Sequence, residues 1–125
     1  MKRIVSTTDA PSAPGLFNQA IIANGFVFCS GQIAIDAATG ELVAGGIVEQ
    51  TERVLLNITA VLKAAGSRLD KVVKTTVFLK SMDDFKAMNG VYTSFFTENQ
   101  PARAAVEVAC LPLDVMVEIE CIALE

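Results

Sequence analysis

Between residues 48 and 96 the spacing of the apolar side chains changes twice, and this change restricts the folds open to the chain. Val48, Val54, Leu55, Ile58, Val61, Leu62 and Ala65 recur at helical intervals, and Gly66 stands where a helix stops. From Val72 to Lys80 the pattern becomes alternation, with Val73, Thr75, Val77 and Leu79 on one side and Lys74, Thr76, Phe78 and Lys80 on the other. Ser81-Met82-Asp83-Asp84 then resembles a capping box. The helix it opens carries Phe85, Met88, Tyr92, Phe95 and Phe96, and Asn99-Gln100-Pro101 ends it, because proline has no N–H to continue the ladder.

Strands flank this central unit. Residues 18–23 and 26–30 read as a hairpin around Asn24-Gly25, a pair suited to a tight turn with positive φ at both positions. Residues 103–109 and 115–124 read as two closing strands around Leu111-Pro112-Leu113-Asp114. After the hairpin a polar, glycine-containing loop is expected through Asp36, Thr39, Gly40 and Glu41. The expected architecture is α+β, one mixed sheet with two helices packed on one face, in a single domain spanning residues 1–125.

Composition narrows the function. Hydrophobic residues make up 52% of the chain, yet no stretch has the unbroken apolar length of a membrane helix, so the excess points to a subunit interface. A net charge of -4 with Lys and Arg scattered argues against nucleic acid as a partner. The first residues pass straight from Met1-Lys2-Arg3-Ile4-Val5 to polar Ser6-Thr7-Thr8-Asp9, unlike a signal peptide. Three cysteines without Cys-x-x-Cys spacing suit a reducing compartment, and a cytoplasmic address is expected. Cys29, Cys110 and Cys121 are expected to be buried structural thiols.

With no histidine in the chain, His-dependent triads are excluded and a metal site is not expected. Gly45-Gly46 lacks the lysine and spacing of a phosphate loop. Arg103 stands out, because Pro101-Ala102 delivers it at a strand start, where its planar fork can take a carboxylate through two parallel hydrogen bonds. An ion pair with Glu118 or Glu120 across the closing hairpin would explain it equally well. If Ala104, Val106 and Val108 face the helices, then Arg103 and Glu107 share the far face with Glu118 and Glu120. Those last two carboxylates could orient a water molecule, or serve only as solvated or interface charges. Ser30-Gly31-Gln32 permits close backbone approach to a ligand, or marks a plain strand exit, while Phe17 and Tyr92 suit core packing.

Several segments together resemble the RidA/YjgF family. They are Ala10-Pro11-Ser12-Ala13-Pro14-Gly15, Asn18-Gln19-Ala20, Ser30-Gly31-Gln32-Ile33, Val73-Lys74-Thr75-Thr76-Val77-Phe78-Leu79, and the set Phe85, Asn89, Tyr92 and Phe95-Phe96. Pro101-Ala102-Arg103, Val106-Glu107-Val108, Leu111-Pro112 and Val117-Glu118-Ile119-Glu120 complete the match across nearly the whole chain. The resemblance implies a chorismate-mutase-like fold assembling as a barrel-like homotrimer, with a ligand cleft at each subunit junction. It implies cofactor-free hydrolysis of 2-aminoacrylate-type enamines and imines to 2-keto acids and ammonia, with a small carboxylate metabolite as the partner. It places Arg103 on the carboxylate-binding arginine and Glu118 on the water-positioning glutamate. Ser30, Gly31, Asn89, the backbone amide of Ala105, and Phe17 would line the cleft. Where the family often has tyrosine and cysteine, this chain has Phe17 and Ala105. A non-catalytic binder of short carboxylic acids, or an endoribonuclease or translation inhibitor, are the other functions such a chain could serve.

Overall fold

A computed structural model describes residues Met1–Glu125. In chain order the elements are β1 (Arg3–Val5), β2 (Ala20–Ala23), β3 (Phe26–Gln32), β4 (Ile35–Asp36), β5 (Glu41–Leu42), α1 (Ile47–Ala64), β6 (Val72–Leu79), α2 (Phe85–Phe95), β7 (Ala102–Glu107) and β8 (Val117–Leu124). Six strands form one mixed sheet in the order β1-β2-β3-β8-β6-β7, and β4 and β5 make a separate small hairpin. The expected α+β layout is found, with both helices on one face.

Local chemistry explains the boundaries. Asn24 and Gly25 have φ of 53° and 82°, the left-handed pair that a two-residue hairpin turn needs. At the end of α1, Gly66 N–H donates to Lys63 O and Ser67 N–H to Leu62 O, a Schellman motif that satisfies two terminal carbonyls. Its start is closed by Glu49, whose carboxylate accepts from the Gly46 N–H at 2.8 Å. Ser81 does cap a turn, but of a short 3₁₀ segment (Met82–Asp84) that leads into α2, with Ser81 Oγ accepting from Asp83 N–H at 3.1 Å. The core lies between α1 and the sheet. Val54, Leu55, Ile58, Val61 and Leu62 pack there against Val27, Val77, Leu79, Val117, Ile119 and Ala123, all fully buried.

Three expectations change. Residues 103–109 and 115–124 do not form a hairpin: β7 runs parallel to β6 through the α2 crossover, while β8 enters on the other side of β6, between it and β3. A register irregularity between Val72 and Lys74 makes Val72, not Val73, the buried residue at the start of β6. The region after β3, read as loop, holds the β4–β5 hairpin, and β1 adds an edge strand that the sequence pattern did not announce.

The face without helices carries Phe28 and Leu124 exposed, with Phe78 and Ile122 half-buried beside them. Such an apolar surface left uncovered in one chain suits contact with another protein surface.

Asn57 ties the layers together near the end of β3. From the buried face of α1 its side-chain amide donates to Ile33 O at 3.2 Å and to Ile35 O at 2.9 Å. Asn57→Ala removes the side-chain donor from the Ile35 carbonyl and leaves that of Ile33 with the Ile35 N–H alone, and the expected loss is about 1–3 kcal/mol of unfolding free energy. Urea denaturation checks it, with an unchanged midpoint counting against this role.

Candidate functional site

Chain register decides where the candidate residues point. Thr75, Val77 and Leu79 of β6 are buried beneath the helices, and in the parallel ladder they stand beside Arg103, Ala105 and Glu107 of β7. Arg103 therefore lies on the helix face, and the expectation that it shares the far face with the glutamates is overturned. Ala105 packs against the core and Val106 is exposed, the reverse of the assumed orientation. The reason is the parallel pairing to β6, which the alternation of β7 alone could not disclose. Glu118 and Glu120 do face the other way, beside Phe78 and Thr76 of the far face.

Around Arg103 the partners come from α2. Phe85, Asn89 and Tyr92 follow one helical stripe. Arg103 Nη1 donates to Asn89 Oδ1 at 2.7 Å, and the guanidinium lies 4.8 Å from the Tyr92 ring centre and 5.5 Å from that of Phe85. No carboxylate is among these partners. The other three arginines each have one: Arg3 with Glu125, Arg53 with Asp36, and Arg68 with Asp70. The anticipated ion pair to Glu118 or Glu120 does not form, since β6 lies between β7 and β8. Glu107, on the same face as Arg103, instead accepts from Met82 N–H at 2.8 Å and so fixes the approach to α2.

A second cluster lies at the end of β3. Gly31 leaves its side-chain space to Glu118: a Cβ there would overlap the Glu118 carboxylate, with Cδ at 3.0 Å. Burial pushes the Glu118 carboxyl above the ordinary glutamate range, and the nearby charge of Glu120 adds to the effect. Phe17 and Gly31 line one small apolar cavity of about 130 Å³ with Pro11, Ala13, Gln32 and Ile33. Phe17 is half-exposed there and is not core. Ser30 Oγ is turned back to donate to Asn18 O at 2.6 Å. Hollows of about 230 Å³ beside Leu69 and Glu98 and about 460 Å³ beneath residues 6–12 contain no cationic side chain to receive an acid.

The candidates thus fall into two groups on opposite faces: Arg103, Asn89 and Ala105 on one, and Gly31, Glu118, Phe17 and Ser30 on the other. Tyr92 and Thr75, joined at 2.6 Å by a buried hydroxyl–hydroxyl hydrogen bond, belong with the first group. The spacing of Phe85, Asn89 and Tyr92 was the available signal for that aromatic cradle. Of the cysteines, Cys29 and Cys121 are buried and face each other across β3 and β8, while Cys110 is exposed, contrary to expectation. A hydrogen bond with Cys29, together with burial, pushes the Cys121 thiol upward, away from reactivity. No three His, Cys, Asp or Glu side chains cluster to hold a metal ion, and no helix is long and apolar enough to cross a membrane.

Known proteins share the family and the fold of this chain. A family model described as Endoribonuclease L-PSP matches residues 7–125. The RutC family protein PH0854 of Pyrococcus horikoshii is 54% identical over 98% of both chains. The 2-iminobutanoate/2-iminopropanoate deaminase of Capra hircus is 46% identical, covering all of this chain and 91% of its own. The crystal structure of E. coli TdcF with bound serine superposes with a TM-score of 0.93 at 40% identity, covering 98% of each chain. The chain belongs to the RidA/YjgF family, whose members include imine deaminases.

Gly31→Ala tests the contact at the second cluster. The flexible end of Glu118 can swing away, so the thermal midpoint should stay within a few degrees of the parent. The displaced carboxylate regains water, and its titration followed by NMR should move down toward the ordinary glutamate range. An unchanged titration would show that Gly31 does not set its position.

Proposed function

We propose that this protein is an enamine/imine deaminase that converts small 2-imino acids into 2-keto acids and ammonia, at sites formed between copies of the chain in a homotrimer. The observation that carries the reading is the separation of two unpaired opposite charges. Arg103 has no acid beside it, and Glu118 has no base beside it, on opposite faces of one sheet. Neither group alone accounts for hydrolysis. When the Arg103 side of one chain meets the Glu118 side of the next, each charge gains its complement and a head-to-tail ring closes. The uncovered apolar face supplies area for that contact, and three copies are what the family resemblance implies.

In this scheme the substrate carboxylate lies on the free N–H edge of Arg103, which Asn89 leaves available by binding Nη1 alone. The backbone amide of Ala105 adds a donor on the same strand. On the neighbouring chain Glu118 accepts a proton from water, and the oxygen adds to the imine carbon. That proton passes to the imine nitrogen to give a carbinolamine, whose hydroxyl proton is then transferred to nitrogen as the carbon–nitrogen bond breaks, so that ammonia leaves and the carbonyl of a 2-keto acid forms. Phe17 has no hydroxyl to give, so that proton comes from Glu118 or from solvent. Ser30 acts through the backbone it holds against Asn18, and Phe17 forms an apolar wall for the substrate side chain.

The names carried by similar proteins support this reading. Deaminases of goat, mouse and human are 42–46% identical to this chain over its whole length. TdcF holds serine, a small molecule with the same α-carboxylate that Arg103 would grip. The endoribonuclease description of the family model finds less support: the chain is acidic, lacks histidine and leaves only one arginine without an acid partner.

A panel of variants tests the assignment, with turnover measured on imine generated by a serine or threonine dehydratase. Glu118→Gln should lose about 10²–10⁴-fold in turnover while keeping 2-keto acid affinity. Glu120→Gln should stay within about threefold of the parent, a barrier change below 1 kcal/mol. Arg103→Lys should lose keto acid affinity almost as fully as Arg103→Ala, because a point charge does not replace a fork. Glu118 works as the carboxylate, so turnover falls as pH drops through its pKa, which burial and Glu120 raise within each chain and the Arg103 of the neighbouring chain lowers. Glu120→Gln should move that fall to lower pH, since the Glu120 charge is one of the causes that raise the pKa. Full turnover by Glu118→Gln with affinity intact would leave a carboxylic-acid binder rather than this mechanism.

A further inference from the structure

We propose that Tyr92 is the positioning residue for Arg103, a π-face that fixes the guanidinium plane and thereby selects the orientation in which a carboxylate binds. This inference rests on the carboxylate reading of Arg103 and adds a component to it.

An arginine side chain has several rotatable bonds, and a fork useful for two-pronged binding must be held in one plane before the ligand arrives. Arginines commonly obtain that restraint from an acid, at the cost of having their charge neutralised. Arg103 obtains it otherwise. Its guanidinium lies 4.8 Å from the centre of the Tyr92 ring, and the neutral Oδ1 of Asn89 takes one N–H at 2.7 Å. The plane is restrained and the positive charge is kept.

The ring can do this because it is itself immobile. Tyr92 is buried, its hydroxyl bonds Thr75 Oγ1 at 2.6 Å, and the Phe96 ring packs against it at a tilt of 36° with centroids 4.7 Å apart. Thr75 is the residue of β6 that stands beside Arg103 in the parallel ladder. The strand pair, the hydroxyl bond and the ring therefore form a closed circuit: β7 places Arg103, β6 places Thr75, Thr75 places the ring, and the ring places the guanidinium. A buried tyrosine hydroxyl needs a partner in any core, so it is the cation above the ring that core packing alone does not require.

Tyr92 is the single tyrosine of the chain, so its ring can be altered without ambiguity. The test starts from Tyr92→Phe, which keeps the ring, and adds one, two and three fluorines to the phenylalanine at position 92. Fluorine withdraws π-density while changing volume little. Affinity for 2-oxobutanoate is measured by calorimetry, and thermal stability is followed in parallel. Affinity should fall stepwise with fluorine number, by about fivefold or more across the series, at a nearly constant thermal midpoint. A purely structural ring would move stability and not follow the fluorine count.

Equal affinity across the series, or a loss that only tracks the thermal midpoint, would overturn the inference. Should Tyr92→Phe fail to fold, global incorporation of fluorotyrosine labels the same position with the hydroxyl retained, and the same gradation is required. The parent reading has its own control. If the unsubstituted protein binds 2-oxobutanoate no better than Arg103→Ala does, the carboxylate reading fails and this inference falls with it. If it binds well and the series is flat, only the role of Tyr92 is lost.

Discussion

Arg103 carries a full positive charge that no carboxylate of its own chain neutralises. A guanidinium attracts an acid through charge-assisted hydrogen bonds, and three of the four arginines here have one nearby. Keeping the fourth free requires that the surrounding fold hold it by other means, and the α2 stripe of Phe85, Asn89 and Tyr92 does so with two aromatic faces and an amide. The position of that stripe depends in turn on the βαβ unit of β6, α2 and β7, and on Glu107, which anchors the turn before α2. Much of one edge of the molecule is thus organised around leaving a single cation available.

The opposite face holds the complementary charge. Side chains alternate along a strand, so a sheet covered by helices on one side sends Glu118 and Glu120 away from Arg103. Gly31 makes room for the Glu118 carboxylate, and partial burial disfavours its ionised form. Two groups useful together in hydrolysis are therefore held apart by the geometry of the fold that presents them. The proposed composite site between copies would resolve the conflict, and it would give the apolar far face and the unpaired charges one common explanation.

Much of the fold was legible in the sequence because its signals are local. The helical spacing from Val48 to Ala65, the Gly66 stop and the Asn24-Gly25 turn each act within a few residues, and each is found in the structure, whereas α2 stops at Phe95, short of the expected break at Asn99-Gln100-Pro101. The order of strands was not legible. Whether β7 pairs with β8 or with β6 depends on contacts distant in the chain, and that choice determines which face Arg103 occupies. Alternation established that Arg103, Ala105 and Glu107 share a side but not which side, and apolar Val106 suggested the wrong one. Arg103 and its partner Asn89 were recognisable through the family resemblance, whereas the place of Tyr92 beside them was not, since a tyrosine in a helical stripe reads equally well as core.

The central claim is that one working site needs Arg103 from one chain and Glu118 from another, and subunit mixing tests it most directly. Arg103→Ala and Glu118→Gln are each expected to be nearly inactive as pure assemblies. Unfolded together at equal concentration and refolded, they should yield mixed rings in which about one junction in four pairs an intact Arg103 side with an intact Glu118 side, as random head-to-tail assembly dictates. Deaminase activity should return to roughly a quarter of the parent level. Activity that stays at the level of the separate variants, in assemblies shown by mass to contain both chains, would contradict a site shared between subunits.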